Sequence, residues 1–175
     1  MFYTFKGQLS KIMNTDRNVT IQITNYSNNY TLDNPRIYTY SGHCYDPPQP
    51  TIKQNPKEVC SFTKTASTAT GSVGVMTYQI LTNDRRCIGE LAIMFSVPYD
   101  YNLYENVFAL GIFKKNTECD ETLYNMMYSN VCAEFRREKG IGSSMTHTGG
   151  NILLKGTMSP QAQSVMKVEL WDKQC

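Results

Sequence analysis

The sequence predicts a mainly β fold: a β-sandwich flanked by one or two short helices. Three observations carry that prediction. Runs of five to ten residues alternate apolar and polar side chains, or are apolar throughout, with strong β-branched and aromatic content. Polar, turn-forming stretches separate those runs at short intervals. Helical spacing of apolar residues shows in only two segments, and both are short. A chain of 175 residues suits a single domain, residues 1–175, with 1–17 as a short N-terminal segment.

The elements follow in chain order. "NVTIQITN" from Asn18 sets Val19, Ile21 and Ile23 inward and Thr20, Gln22 and Thr24 outward, the period of a half-buried strand. "RIYTY" from Arg36 repeats the pattern more weakly. His43 to Pro56 contains four prolines and reads as a loop. "VGVMTYQIL" and "IGELAIMFSV" are two long strands joined by the turn "TNDRR". "VFALGIF", "NILLKG" and "VMKVELW" supply the remaining strands.

The two other segments are helical in spacing. In "DETLYNMMYSN", Asp120 is placed to cap a helix start, and Glu121 favours the positive end of the helix dipole. Leu123, Met126 and Met127 form one apolar stripe, while Tyr124 and Tyr128, four apart, share another face. In "MFYTFKGQLSKIMN", Phe2, Phe5, Leu9, Ile12 and Met13 fall in one arc of a helix, which Gly7 weakens. An N-terminal strand or a frayed end is the competing reading. A helix of that length reaches about 20 Å, short of the roughly 30 Å hydrocarbon layer.

Composition excludes several function classes. A net charge of +2 gives no electrostatic case for a nucleic-acid binder. The two histidines, His43 and His147, stand in no catalytic or metal-ligand motif. The six cysteines include no CxxC pair, so no metal site and no cofactor is expected. Cys44 and Cys60 flank the proline-rich segment, and spacing leaves open whether they pair. No apolar run is long enough for a membrane-spanning helix, and no signal-peptide pattern opens the sequence. Asn18, Asn25 and Asn29 each begin an Asn-x-Ser/Thr sequon.

The aromatic residues are the chemistry-bearing feature. In "SVPYDYNLYENVF", Pro98 ends a ladder because it donates no hydrogen bond, and Tyr99, Tyr101, Tyr104 and Phe108 follow it. Tyrosine has an apolar ring and a polar tip, so it suits a membrane–water interface. Several tyrosines together form a cage for a quaternary ammonium group, with Tyr124 and Tyr128 as further walls. Ser96 offers a hydroxyl to an attached phosphate. On the residues alone, filling a core edge or plugging loop gaps is the plainer reading of these rings.

"LAIMFSVPYDYNLYENVF" resembles the signature of the actinoporins, the pore-forming cytolysins of sea anemones with relatives in other animals and plants. "TATGSVGVMTY" is similar to the preceding strand of that family, and "ETLYNMMYSN" to its tyrosine-rich helix. The resemblance implies a sandwich that binds phosphocholine lipids, sphingomyelin above all. It further implies release of an N-terminal amphipathic helix and homo-oligomeric assembly into a cation-permeable pore.

By the same resemblance, the headgroup site uses Ser41, Val73, Ser96, Pro98, Tyr104, Tyr124 and Tyr128. Membrane contact falls to Tyr101, Leu103, Val107 and Phe108, and insertion to Phe2, Phe5, Leu9, Ile12 and Met13. The implied location is secreted, then on a target-cell membrane. This chain departs from the family in several places. It carries Leu103 and Val107 in place of tryptophans, Ser129 in place of a third helix tyrosine, and "FRREKG" where the family has Arg-Gly-Asp. Its N-terminal segment is shorter and net basic, with Lys6, Lys11 and Arg17 against Asp16. That short, basic segment favours, as the alternative function, a non-lytic lipid- or glycan-binding module of the same fold, like the fungal fruit-body lectins.

Overall fold

The computed structural model describes residues 15–174. The insertion residues Phe2, Phe5, Leu9, Ile12 and Met13 lie outside the described residues, as does Cys175. Two six-stranded sheets face one another. The first sheet runs β10 (Met145–Gly149), β11 (Ile152–Met158), β12 (Gln163–Asp172), β1 (Asn18–Asn25), β5 (Lys57–Thr63) and β3 (His43–Asp46). The second runs β4 (Thr51–Ile52), β2 (Tyr30–Ser41), β6 (Ser72–Thr82), β7 (Cys87–Val97), β8 (Val107–Phe113) and β9 (Phe135–Lys139). One helix, α1 (Glu121–Ser129), stands between β8 and β9 in the chain.

Between the sheets lies the main core. Val19, Ile21 and Ile23 from β1 meet Met76, Ile93, Phe95, Phe108 and Leu110 from the second sheet. A second cluster fills the space beneath α1, where Val75, Ala92, Met94 and Ala109 meet Leu123, Tyr124 and Met127. Strands β6, β7 and β8 are therefore covered on both faces. That is why their sequences are nearly continuous apolar runs rather than clean alternations.

The sequence reading of β1 needs correction. Thr20, Gln22 and Thr24 do face away from the core, but they too are buried. The strand is interior to its sheet, parallel to β12 and antiparallel to β5. These side chains are flanked on both sides, by Val165, Lys167 and Glu169 of β12 and by Ser61, Val59 and Lys57 of β5. The segment from His43 to Pro56 also holds more structure than a loop. It supplies β3 and β4, each an edge strand. Edge positions tolerate the neighbouring prolines because a missing N–H there breaks no ladder. Gly42 turns the chain between β2 and β3 at φ +83°, where a Cβ would meet the Thr63 carbonyl oxygen at 2.3 Å. All five described cysteines, Cys44 and Cys60 among them, are free thiols.

Helix α1 is secured at both ends. The Asp120 carboxylate accepts from the Leu123 N–H at 3.0 Å, as the sequence predicts. At the other end Arg137 donates to the carbonyls of Met127 and Asn130, both at 2.8 Å. A cation there complements the helix dipole. The helix thus presents fixed tyrosines to the sheet beneath it.

His147 on β10 adds a pH dependence to this fold. Its Nε2 is buried without a partner. Burial holds its pKa below the ordinary imidazole value of 6.5, and the nearby Arg136 charge acts the same way against a hydrogen bond involving the Glu134 backbone. The unfolded chain takes up this proton first as pH falls. His147 therefore contributes stability that is present above pH 6.5 and is lost as pH drops towards the lower folded value. Urea unfolding of wild type and His147→Gln at a series of pH values will show a shallower acid-side decline in the variant.

Candidate functional site

The site begins with strand register. Ser41 of β2 pairs with Val73 of β6, and Val73 pairs with Ser96 of β7. These three residues lie side by side across three adjacent strands. A β-bulge between Thr39 and Ser41 re-aims the end of β2 at this point. Gly71 lies just before β6, where a Cβ would come within 2.1 Å of the Val97 carbonyl oxygen, so only glycine permits this close approach. Pro98 then ends β7, and Asp100 organises the following turn. Its carboxylate accepts from the Asn102 N–H at 2.9 Å, and its carbonyl accepts from the Tyr104 N–H at 3.0 Å.

Helix α1 closes the other side. A cavity of about 480 Å³ forms between the helix, the strand row and the turn. All seven residues assigned to the headgroup site, Ser41, Val73, Ser96, Pro98, Tyr104, Tyr124 and Tyr128, line it. Tyr104 is 56% exposed at the rim, whereas Tyr124 is 5% exposed at the base. Burial pushes the Tyr124 hydroxyl pKa up, helped by the neighbouring Tyr128, Tyr40 and Tyr38, so the ring stays neutral.

Sequence reasoning missed Tyr40. Its ring stacks on Tyr124 with centroids 5.0 Å apart, and Tyr124 stacks on Tyr128 at 5.7 Å, each pair inclined by 25°. Tyr38 approaches the same ring at 6.5 Å. The signal was present in "YTYS", because Tyr38 and Tyr40 are two apart and must share one face of β2. Tyr99, Asp100 and Asn125 also line the cavity. Asp100 is the one charged residue among the described lining residues; Arg17 and Lys64 lie outside the lining, against the Tyr99 ring at 5.2 and 4.9 Å. Neutral π-faces beside a carboxylate favour a cation over an anion.

The membrane-contact residues divide. Leu103 is 73% exposed at the tip of the turn. Tyr101 is at the margin of exposure; its hydroxyl donates to Asn106 at 2.7 Å, and its ring faces the Arg17 guanidinium at 4.9 Å. Arg17 also faces the Tyr99 ring at 5.2 Å and donates to the Pro98 and Tyr99 carbonyls. Val107 is half-buried against the cluster beneath α1. Phe108 must be corrected: it is 0% exposed and belongs to the inter-sheet core opposite Phe95. Once β8 begins at Val107, strand alternation sends the next side chain inward.

Among the described residues, no group of three or more histidine, cysteine, aspartate or glutamate side chains could hold a metal ion. No described helix is long and apolar enough to cross a membrane.

Comparison with known proteins agrees with this architecture. Lipid binding protein Nakanori, a solved structure, superposes with a TM-score of 0.72 over 98% of this chain and 78% of its own, at 12% identity, which bears on the fold alone. Cytolysin tenebrosin-B of Actinia tenebrosa is 30% identical over 102 residues, or 58% of this chain and 44% of that protein. The chain thus spans less than half the length of this anemone relative. Bryoporin of Physcomitrium patens is 27% identical over 169 residues, covering 95% of this chain and 90% of its own. The model of the sea anemone cytotoxic protein family matches residues 2–172. The chain belongs to that family, the actinoporins, and has its sandwich fold.

Proposed function

We propose that this chain binds membrane lipids through their phosphocholine headgroup, with sphingomyelin as the lead lipid, and then assembles into a cation-permeable pore. One observation carries the reading: the stacked rings of Tyr40, Tyr124 and Tyr128, with Tyr104 at the rim, surround a cavity whose one charged lining residue is acidic. Membership of the cytolysin family supports a lipid partner.

In this account the quaternary ammonium rests against the ring faces, each contact contributing about 0.5–2 kcal/mol. Ser41 and Ser96 offer hydroxyls to the phosphate. Leu103 enters the acyl boundary; full burial of such a side chain stabilises by about 1.5–3 kcal/mol. Tryptophan prefers that interface more strongly, so the anchor here is the weaker kind. Arg17 clamps the exit of the N-terminal segment to the Pro98–Tyr99 backbone, beside the headgroup cavity. Insertion of residues 1–17 and subunit assembly complete the sequence on the target membrane, reached by secretion.

Vesicles of phosphatidylcholine, with and without sphingomyelin, test the reading through flotation and dye release. The expected result is binding to choline-lipid vesicles, with leakage strongest when sphingomyelin is present. Binding without leakage would reduce the reading to a non-lytic module. Capture on a glycan array with no vesicle binding would replace it with a lectin.

A further inference from the structure

Three asparagines begin glycosylation sequons: Asn18-Val19-Thr20, Asn25-Tyr26-Ser27 and Asn29-Tyr30-Thr31. The fold treats them very differently. Asn18 and Asn25 are both 0% exposed. The Asn18 side-chain amide donates to the Thr15 carbonyl at 3.1 Å. Asn25 is a three-way clamp. Its amide donates to the Tyr30 carbonyl at 2.9 Å and the Ile52 carbonyl at 3.2 Å, and its oxygen accepts from the Ser27 N–H at 3.0 Å. These bonds join β1 to the start of β2 and to β4. A sugar on either amide nitrogen would take a donor hydrogen from that network and demand space where there is none.

Asn29 is exposed in the bend between β1 and β2. Its backbone N–H is held by the Ser27 hydroxyl at 3.0 Å, and the bend is braced because the Asn28 N–H donates to Asp172 at 2.8 Å. The loop is thus ordered, and the side chain is open to solvent. Position matters as well. Asn29 directly precedes β2, while Tyr40 and Ser41 at the other end of β2 line the tyrosine cavity. Eleven strand steps at about 3.3 Å separate the two by roughly 35 Å.

We infer that Asn29 is the N-glycan acceptor of this chain whenever it passes through a compartment holding an oligosaccharyl transferase. The co-reactant is a lipid-pyrophosphate-linked oligosaccharide. The Asn29 Nδ2 attacks the sugar C1, the C1–N bond forms, and the C1–O bond to pyrophosphate breaks. The displaced amide proton leaves with the lipid pyrophosphate. The transferase meets the nascent chain before folding, so all three sequons are offered to it. A chain modified at Asn18 or Asn25 cannot close its sheets, and folded product carries its glycan at Asn29.

The test is secretion of the full chain, behind an added leader, from eukaryotic cells. Intact mass is measured before and after peptide N-glycosidase digestion. The folded wild type is expected to lose one glycan, and Asn29→Gln and Thr31→Ala each to show no loss, while all three retain the same unfolding midpoint. A folded wild type without glycan, or with glycan mapped to Asn18 or Asn25, overturns the inference. The readout is mass, so the result is independent of the headgroup reading.

Discussion

Tyr104→Ala will weaken binding to phosphatidylcholine–sphingomyelin vesicles about tenfold, the loss of roughly one cation–π contact, and leave the unfolding midpoint unchanged. The two halves separate because Tyr104 is a half-exposed rim residue with little packing to lose. Tyr124→Ala goes further. It removes the middle ring of three, so binding falls below detection in a flotation assay. It also opens a void beneath α1, at a cost of about 3 kcal/mol. Tyr124→Phe keeps the ring and loses the hydroxyl. It will retain binding within a few-fold, which identifies the π-face rather than the phenol as the binding group.

Phe108→Ala will cost about 3–5 kcal/mol of stability, measured by urea unfolding. That is a large share of the roughly 5–15 kcal/mol that holds a domain together. The side chain sits between the sheets, and its ring borders Gly156, where an added Cβ would come within 3.2 Å. Leu103→Ala has the opposite profile. Its stability stays within about 0.5 kcal/mol of wild type. Its vesicle association drops about tenfold, because a 73% exposed leucine contributes only once it meets the acyl boundary. The pair distinguishes a core aromatic from a membrane anchor in one experiment.

The contrast also marks what was legible in the sequence. The turn "TNDRR" and the runs on either side of it give β6 and β7 directly, and Asp120 gives the helix start. Strands β9 and β10, "FRREK" and "MTHTG", carry too few apolar residues for a periodic signal. Each is an edge strand, held by one neighbour's ladder rather than by its own burial. Phe108 was misassigned because a loop and the first residues of a strand look alike until the strand's phase is known.

The site divides along the same line. The tyrosines after Pro98, the helix pair Tyr124–Tyr128 and the Ser96 hydroxyl stand out by their chemistry, and family resemblance assigns them to one headgroup site. That they line one cavity depends on tertiary structure: three strands in register and a helix laid across them. Tyr40 was hidden because its role arises only from stacking on a residue 84 positions away in the chain (124 minus 40). Residues two apart on a strand identify a shared face, but not what stands opposite it.

The central claim is that these rings grip the choline cation. Nuclear Overhauser contacts between the N-methyl protons of soluble phosphocholine and the tyrosine rings test it most directly. The account predicts cross-peaks to Tyr40, Tyr104, Tyr124 and Tyr128, all weakened by excess tetramethylammonium. Saturating phosphocholine that gives no contact to any of these four rings, or contacts only elsewhere on the surface, would contradict it.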